Sequence, residues 1–125
     1  MTRIVCAEDC GNSPRRLLLK KVLTALAKGE SAFALKNMTE DVVWIRPGEK
    51  AVSGKDAVGK LLEQRKREAK AVLVIDNIIT HGPSGAANGA ITLANGRSYA
   101  FSHVYRFNAA ADTRIKVLTE YLIEQ

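Results

Sequence analysis

Residues 71–80 read Ala71-Val72-Leu73-Val74-Ile75-Asp76-Asn77-Ile78-Ile79-Thr80. β-branched side chains lose rotamer freedom in a helix and pack well on a pleated surface, so this run is predicted as a strand. The turn residues His81-Gly82-Pro83-Ser84-Gly85 follow, and a second strand is expected over 86–94. Asn95-Gly96 is the strongest hairpin signal in the chain, because both residues accept the positive φ of a two-residue turn. It leads into a third strand over 97–108, with Tyr99, Phe101, His103, Tyr105 and Phe107 on one side. A loop over 108–113 and a last strand over 114–124 complete a run of four strands.

Upstream of residue 71 the period changes. Asn12-Ser13-Pro14 is a helix start, a capping residue followed by Pro at the first helical position. Leu18, Leu19, Val22, Leu23 and Leu26 then give the stripe of an amphipathic helix, which Gly29 ends. A short second helix is expected to bury Ala32, Phe33, Leu35 and Met38. Asp41 to Arg46 reads as a strand stopped by Pro47-Gly48. Ser53-Gly54-Lys55-Asp56 resembles a capping box and opens a third helix with Val58, Leu61 and Leu62 inside. Lys55, Lys60, Glu63, Arg65, Lys66 and Arg67 are expected outside. Helices first and strands second predict one α+β domain, helices packed on a mainly antiparallel sheet. Its core spans 14–124, after an N-terminal extension over 1–13.

Apolar residues make up 46% of the 125 and charged residues 26%, which excludes a disordered or collagen-like chain. No apolar run approaches the roughly 18–20 residues of a membrane span. Acids at Glu8 and Asp9 follow about three apolar residues, which is not the pattern of a secretory signal, so a cytoplasmic location is the expectation. The formal charge is +6, and residues 1–70 hold all of the surplus, with 15 Lys/Arg against 9 Asp/Glu. Those cations fall mostly on outward helix faces, away from the aromatics of the sheet. The interleaved basic and stacking surface of a nucleic-acid binder is missing, so nucleic acid is not expected as a partner. Cys6 and Cys10 read as reduced thiols in such a compartment. His81 and His103 lie too far apart for the usual local pairs of zinc ligands, so no metal is expected, and no cofactor motif is present.

Both faces of the predicted sheet are apolar, and the helices can cover only one. In the last strand Ile115, Val117, Tyr121 and Ile123 fall on one side, and Leu118 and Leu122 on the other. An uncovered apolar face on a small domain points to a partner, and a homodimer through the outer sheet face is the simplest one.

The chain resembles the nuclear-transport-factor-2-like superfamily, which includes ketosteroid isomerases and SnoaL-like polyketide cyclases. Three stretches carry the resemblance. Ala25-Leu26-Ala27-Lys28-Gly29-Glu30, leading to Leu35-Lys36-Asn37-Met38-Thr39-Glu40-Asp41-Val42-Val43-Trp44, is similar to the family's early helix–Gly-Asp–helix–strand passage. Ser53-Gly54-Lys55-Asp56-Ala57-Val58 is similar to the start of its third helix. Val104-Tyr105-Arg106-Phe107 resembles a D-V-x-R-F strand that a return strand follows. The resemblance covers roughly residues 14–124 and rests on order and spacing, since each motif alone is weakly specific. It implies a curved sheet wrapped round the helices into a cone whose mouth forms a small-molecule pocket.

Position by position, the resemblance implies a departure from the isomerases. Arg46, before Pro47, stands where their catalytic carboxylate stands, and a guanidinium cannot serve as a general base. Val22 matches their tyrosine donor, and His103 their protonated aspartate. Steroid isomerisation by that mechanism is therefore not expected. The SnoaL-like cyclases depend on an acid at the His103 position, and histidine can do acid/base work near neutral pH.

The residues read the same way from below, with alternatives open. His103, beside Phe101 and Tyr105, is either a buried histidine satisfied by a neighbour or a pocket acid/base. Arg46, sharing a face with Trp44, is a surface arginine, an anchor for a ligand carboxylate or phosphate, or the partner of an internal acid. Glu120 is the best candidate for that acid, paired with Arg46 or His103, and structural as readily as catalytic. Tyr99, Phe101 and Trp44 would wall a pocket, and Asn88 and Thr92 add polar lining. Two readings follow. One is a small-molecule pocket with cofactor-independent isomerase, cyclase or lyase chemistry. The other is a non-catalytic dimeric interaction domain.

Overall fold

The computed structural model describes residues 2–6, 13–109 and 111–125. In chain order the elements are β1 (Arg3–Cys6), α1 (Pro14–Lys28), α2 (Ser31–Lys36), β2 (Met38–Ile45) and β3 (Val52–Ser53). They continue with α3 (Lys55–Arg65), β4 (Lys70–His81), β5 (Ser84–Leu93), β6 (Ser98–Phe107) and β7 (Ile115–Glu124). The strands form one sheet in the order β1-β4-β5-β6-β7-β2-β3. Neighbours are antiparallel except β1 on β4 and β2 on β7, which run parallel. The sheet curls round the helices, giving an α+β cone.

α1 starts as its sequence dictates. Ser13 caps it, its hydroxyl accepting from the Arg16 amide, with Pro14 in the first turn. Gly29 closes it at φ 75°, a left-handed conformation that costs a glycine little. Leu19, Val22 and Leu23 bury its inner face. α3 buries Val58, Leu61 and Leu62, as its period predicts. Its N-cap is not a capping box, however: Gly54 occupies the cap at φ 92° with no side-chain bond, and its amide donates to the Val42 carbonyl. In α2 the buried residue is Ala34; Phe33 is exposed, and Met38 opens β2 instead of closing the helix.

On β6 the predicted alternation holds: Phe101, His103, Tyr105 and Phe107 all face inward and are buried. The facing positions on β5 are small, Gly85, Ala87 and Gly89, which leaves room for those rings. A Cβ on Gly89 would meet the Val74 carbonyl oxygen at 1.9 Å and the Phe101 ring at 3.0 Å.

Ile115 is fully buried, not on the outer face with Val117 and Tyr121. The β6–β7 register slips between Arg106 and Phe107, so Ile115 and Leu118 both turn into the core. The outer face keeps Ile79 and Val104 exposed, and Tyr121 and Ile123 near the end of β7 are exposed where they also border the cavity. β1, within the stretch read as an extension, hydrogen-bonds along the β4 edge from Arg3 to Cys6. Cys6 is disulfide-bonded, where a reduced thiol was expected. The chain's other cysteine, Cys10, lies outside the described residues.

Candidate functional site

The open end of the cone holds a cavity of about 610 Å³. Leu23 and Leu26 of α1, Leu61 of α3, Leu73 of β4, Ile91 of β5 and Phe101 of β6 give it apolar walls. Its polar side gathers Trp44, Arg46, Arg65, Lys70, His103 and Glu120.

Strand register builds that side. His103 and Glu120 are direct cross-strand partners on β6 and β7, facing inward at one level. Trp44 lies on β2 opposite Leu118, one inward position away from Glu120. Glu120 is buried, and four donors meet its two oxygens. Arg65 Nη2 donates to Oε1 at 2.5 Å and Arg65 Nη1 to Oε2 at 2.8 Å, a bidentate fork. Trp44 Nε1 donates to Oε1 at 3.3 Å, and His103 Nε2 stands 3.2 Å from Oε2. The Arg65 guanidinium also lies over the Trp44 ring, 5.4 Å from its centroid.

Burial pushes the Glu120 carboxyl up, but hydrogen bonds from His103 and Arg65 and the Arg65 charge outweigh it. The net effect holds the group well below the usual carboxylate range, so it is ionised at neutral pH. An ionised carboxylate only accepts, so Nε2 of His103 carries a hydrogen. Nδ1, 2.8 Å from the Tyr105 hydroxyl, then accepts from it in the neutral ring. Burial, and secondarily the Glu120 charge, raise the Tyr105 hydroxyl well above its ordinary range, so it keeps that proton. Tyr105, His103, Glu120 and Arg65 thus form one continuous chain of hydrogen bonds from the core to the cavity.

Of the residues expected at the site, Trp44, Arg46, Tyr99, Phe101, His103 and Glu120 line the cavity. Tyr105 lies deeper, behind His103, and touches the site through its hydroxyl. Asn88 and Thr92 do not line it. They sit on the outer face of β5, where Asn77 donates to the Asn88 side chain at 3.0 Å. The Arg46–Glu120 pair does not form either; Arg46 Nη1 pairs with the exposed Glu49 at 3.6 Å. Val22 is fully buried in the core and is not part of the lining.

Arg65, expected on the outer face of α3, is instead the counter-ion of Glu120. The sequence held the signal: Val58, Leu61, Leu62 and Arg65 are i, i+3, i+4 and i+7 of one helical stripe. Lys70 also lines the cavity, its ammonium donating to the Arg65 carbonyl at 2.6 Å. Burial lowers its affinity for the proton. Arg46 is therefore not alone among the basic residues in facing the site.

A sheet curled round three helices, with a cavity bordered by apolar walls and a charged cluster, is an α+β cone fold. Residues 19–118 match the SnoaL-like domain, and the chain belongs to that family. Among solved structures it is similar to an NTF2-like protein of unknown function from Burkholderia xenovorans LB400. The two share 17% identity over 89% of this chain and 84% of that chain, with a TM-score of 0.77. A candidate ketosteroid isomerase from Kribbella flavida DSM 17836 shares 18% identity over 89% and 78% of the two chains, with a TM-score of 0.75. The epoxide hydrolase/cyclase-like enzyme SalBIII, of pyran ring formation in salinomycin, shares 12% identity over 87% and 90%, with a TM-score of 0.76. At these identities the likeness is one of fold. No curated protein matches the chain. No described helix is long and apolar enough to cross a membrane.

Proposed function

We propose that the protein binds a small, largely apolar molecule in the cone cavity, with His103 and Glu120 as the acid/base pair at its polar side. The reaction class is a cofactor-independent isomerisation, cyclisation or elimination, distinct from the ketosteroid isomerase mechanism. One observation carries this reading: a cavity of about 610 Å³ that is apolar on most sides yet meets an ionised, buried carboxylate on one. Such a volume suits a small organic molecule.

The network also says what turnover would require. Glu120 has no unused acceptor direction in this state, and both nitrogens of His103 are engaged. A ligand group gains a proton partner only by replacing one of these bonds, and Arg65, the partner with the most solvent access, is the one to yield. The same saturation favours a second reading, in which the domain binds without turnover and the network is structural.

The reading extends to a homodimer through the outer sheet face, supported by Ile79 and Val104 exposed there. A cytoplasmic location goes with it only if the Cys6 disulfide withstands the cytosolic thiol pool. Trp44 is the single tryptophan and lies against the cavity, so its fluorescence reads binding directly. Titration with decanamide, a neutral apolar probe, is expected to shift or quench Trp44 emission saturably. Ala27→Phe, which adds a ring at a cavity-lining position of α1 and no second tryptophan, is expected to weaken the response sharply. An unchanged wild-type spectrum, or a response that Ala27→Phe leaves at full strength, refutes the pocket.

A further inference from the structure

We infer that the cavity takes a monocarboxylate, whose head group pairs with the ammonium of Lys70. This rests on the cavity being the ligand site. A bulge in β4 places the lysine. Strict alternation from Leu73 and Ile75, both buried, would turn Lys70 outward. The β4–β5 register slips between Lys70 and Val72. Lys70 therefore stands opposite Leu93, which lines the cavity, whereas Val72 stands opposite Thr92 on the outer face. One extra residue thus brings a lysine onto an apolar inner face, and re-aiming a side chain is what such bulges do beside functional sites.

The surrounding charge selects the class of ligand. The lining holds three cations, Arg46, Arg65 and Lys70, and three anions, Glu49, Glu68 and Glu120. Arg46 pairs with Glu49 and Arg65 with Glu120. No carboxylate of the described residues pairs with Lys70; its Nζ donates to the Arg65 carbonyl at 2.6 Å, and two of its three N–H groups remain. Glu68 is exposed and keeps its hydration, whereas Lys70 is half-buried, open enough for a ligand atom to reach. Burial disfavours the charged form of this amine, and a carboxylate brought in by the ligand restores it. One unpaired cation matches one negative charge. A phosphate monoester would bring a second toward three carboxylates, with both guanidinium groups already committed. Lys70 opens β4 and Leu93 closes β5, so the ammonium stands at the strand ends. A carboxylate held there leaves the ligand's apolar body against Leu73, Ile91 and Phe101, deeper in the cone.

The test compares three probes of equal chain length, decanoate, decanamide and decyl phosphate, at pH 7.5 and below micellar concentrations, by Trp44 fluorescence. The wild type is expected to bind decanoate at least tenfold more tightly than decanamide, and more tightly than decyl phosphate. Lys70→Met keeps an apolar stem without the charge and is expected to bring decanoate down to the level of decanamide. Lys70→Arg restores the charge and is expected to restore most of the preference. Circular dichroism checks both folds, and the comparison of probes on the wild type needs no variant. Equal binding of acid and amide, tighter binding of decyl phosphate, or an acid preference that survives Lys70→Met overturns the inference and leaves the pocket standing. If no probe binds, the pocket reading falls and this inference with it.

Discussion

Replacing Glu120 with glutamine removes one charge and almost no volume, which isolates the electrostatic part of the network. The carboxylate accepts from Arg65 twice, from Trp44 and from His103, and its side chain is 5% exposed. A glutamine amide would accept at one oxygen and present its own N–H groups to donors at the other. Removing one member of a buried ion pair costs about 3–5 kcal/mol. The Arg65 side chain is 26% exposed and can recover hydration, which reduces the expected loss to about 2–3 kcal/mol. For a chain of this size that is roughly 8–12 °C in melting temperature. The sign with pH follows from the direction of the shift. Glu120 is held below its unfolded range, so its contribution is complete above roughly pH 5 and is lost as pH falls through the folded value. Thermal melts of wild type and Glu120→Gln are expected to differ clearly at pH 7 and by a smaller margin at pH 3, where the folded carboxylate is still ionised but part of its contribution is lost. A difference below about 0.5 kcal/mol at pH 7 would refute the reasoning, because ordinary surface substitutions reach that size. A gap of the same size at both pH values would refute it too.

Two further outcomes are expected. Gly89→Ala places a methyl group 1.9 Å from the Val74 carbonyl oxygen, so the strand must shift, and overpacking of this kind costs about 2–3 kcal/mol in a denaturant melt; a loss under 1 kcal/mol would mean the bulge in β4 absorbs it. Val104→Lys puts a charge on the outer face at a residue 46% exposed, and light scattering is expected to find a dimer for wild type and a monomer for the variant; a monomeric wild type would remove the dimer.

The sheet was legible because its strands advertise themselves. Residues 71–80 are β-branched, Asn95-Gly96 marks a turn, and β6 sets large aromatics at every second position. Strand β5 is weaker in markers, but its alternation is readable: Gly85, Ala87, Gly89, Ile91 and Leu93 share one apolar face, and Ser84, Asn88 and Thr92 fall on the other. The expectation that Asn88 and Thr92 line the pocket runs against that pattern. β1 has four residues and β3 two, too short for a period to declare itself, and β1 also depends on a partner distant in sequence. Strict alternation puts Ile115 on the outer face, and the β6–β7 slip interrupts that alternation. At the site, His103 and Glu120 were legible as inward polar residues on apolar strands. Arg65 sits on the apolar stripe of its own helix, although its charge reads as outward. Its long side chain reaches past the end of α3 to Glu120, a distance that helical periodicity does not encode.

The central claim is that the cone encloses a ligand site. Methyl-resolved NMR during a decanamide titration tests it most directly. Leu23, Leu61, Leu73 and Ile91 line the cavity, whereas Ile79 and Val104 are exposed on the outer face of the sheet. Shifts confined to the first group, saturating together, are the predicted result. Shifts centred on Ile79 and Val104, or none at all, would contradict it.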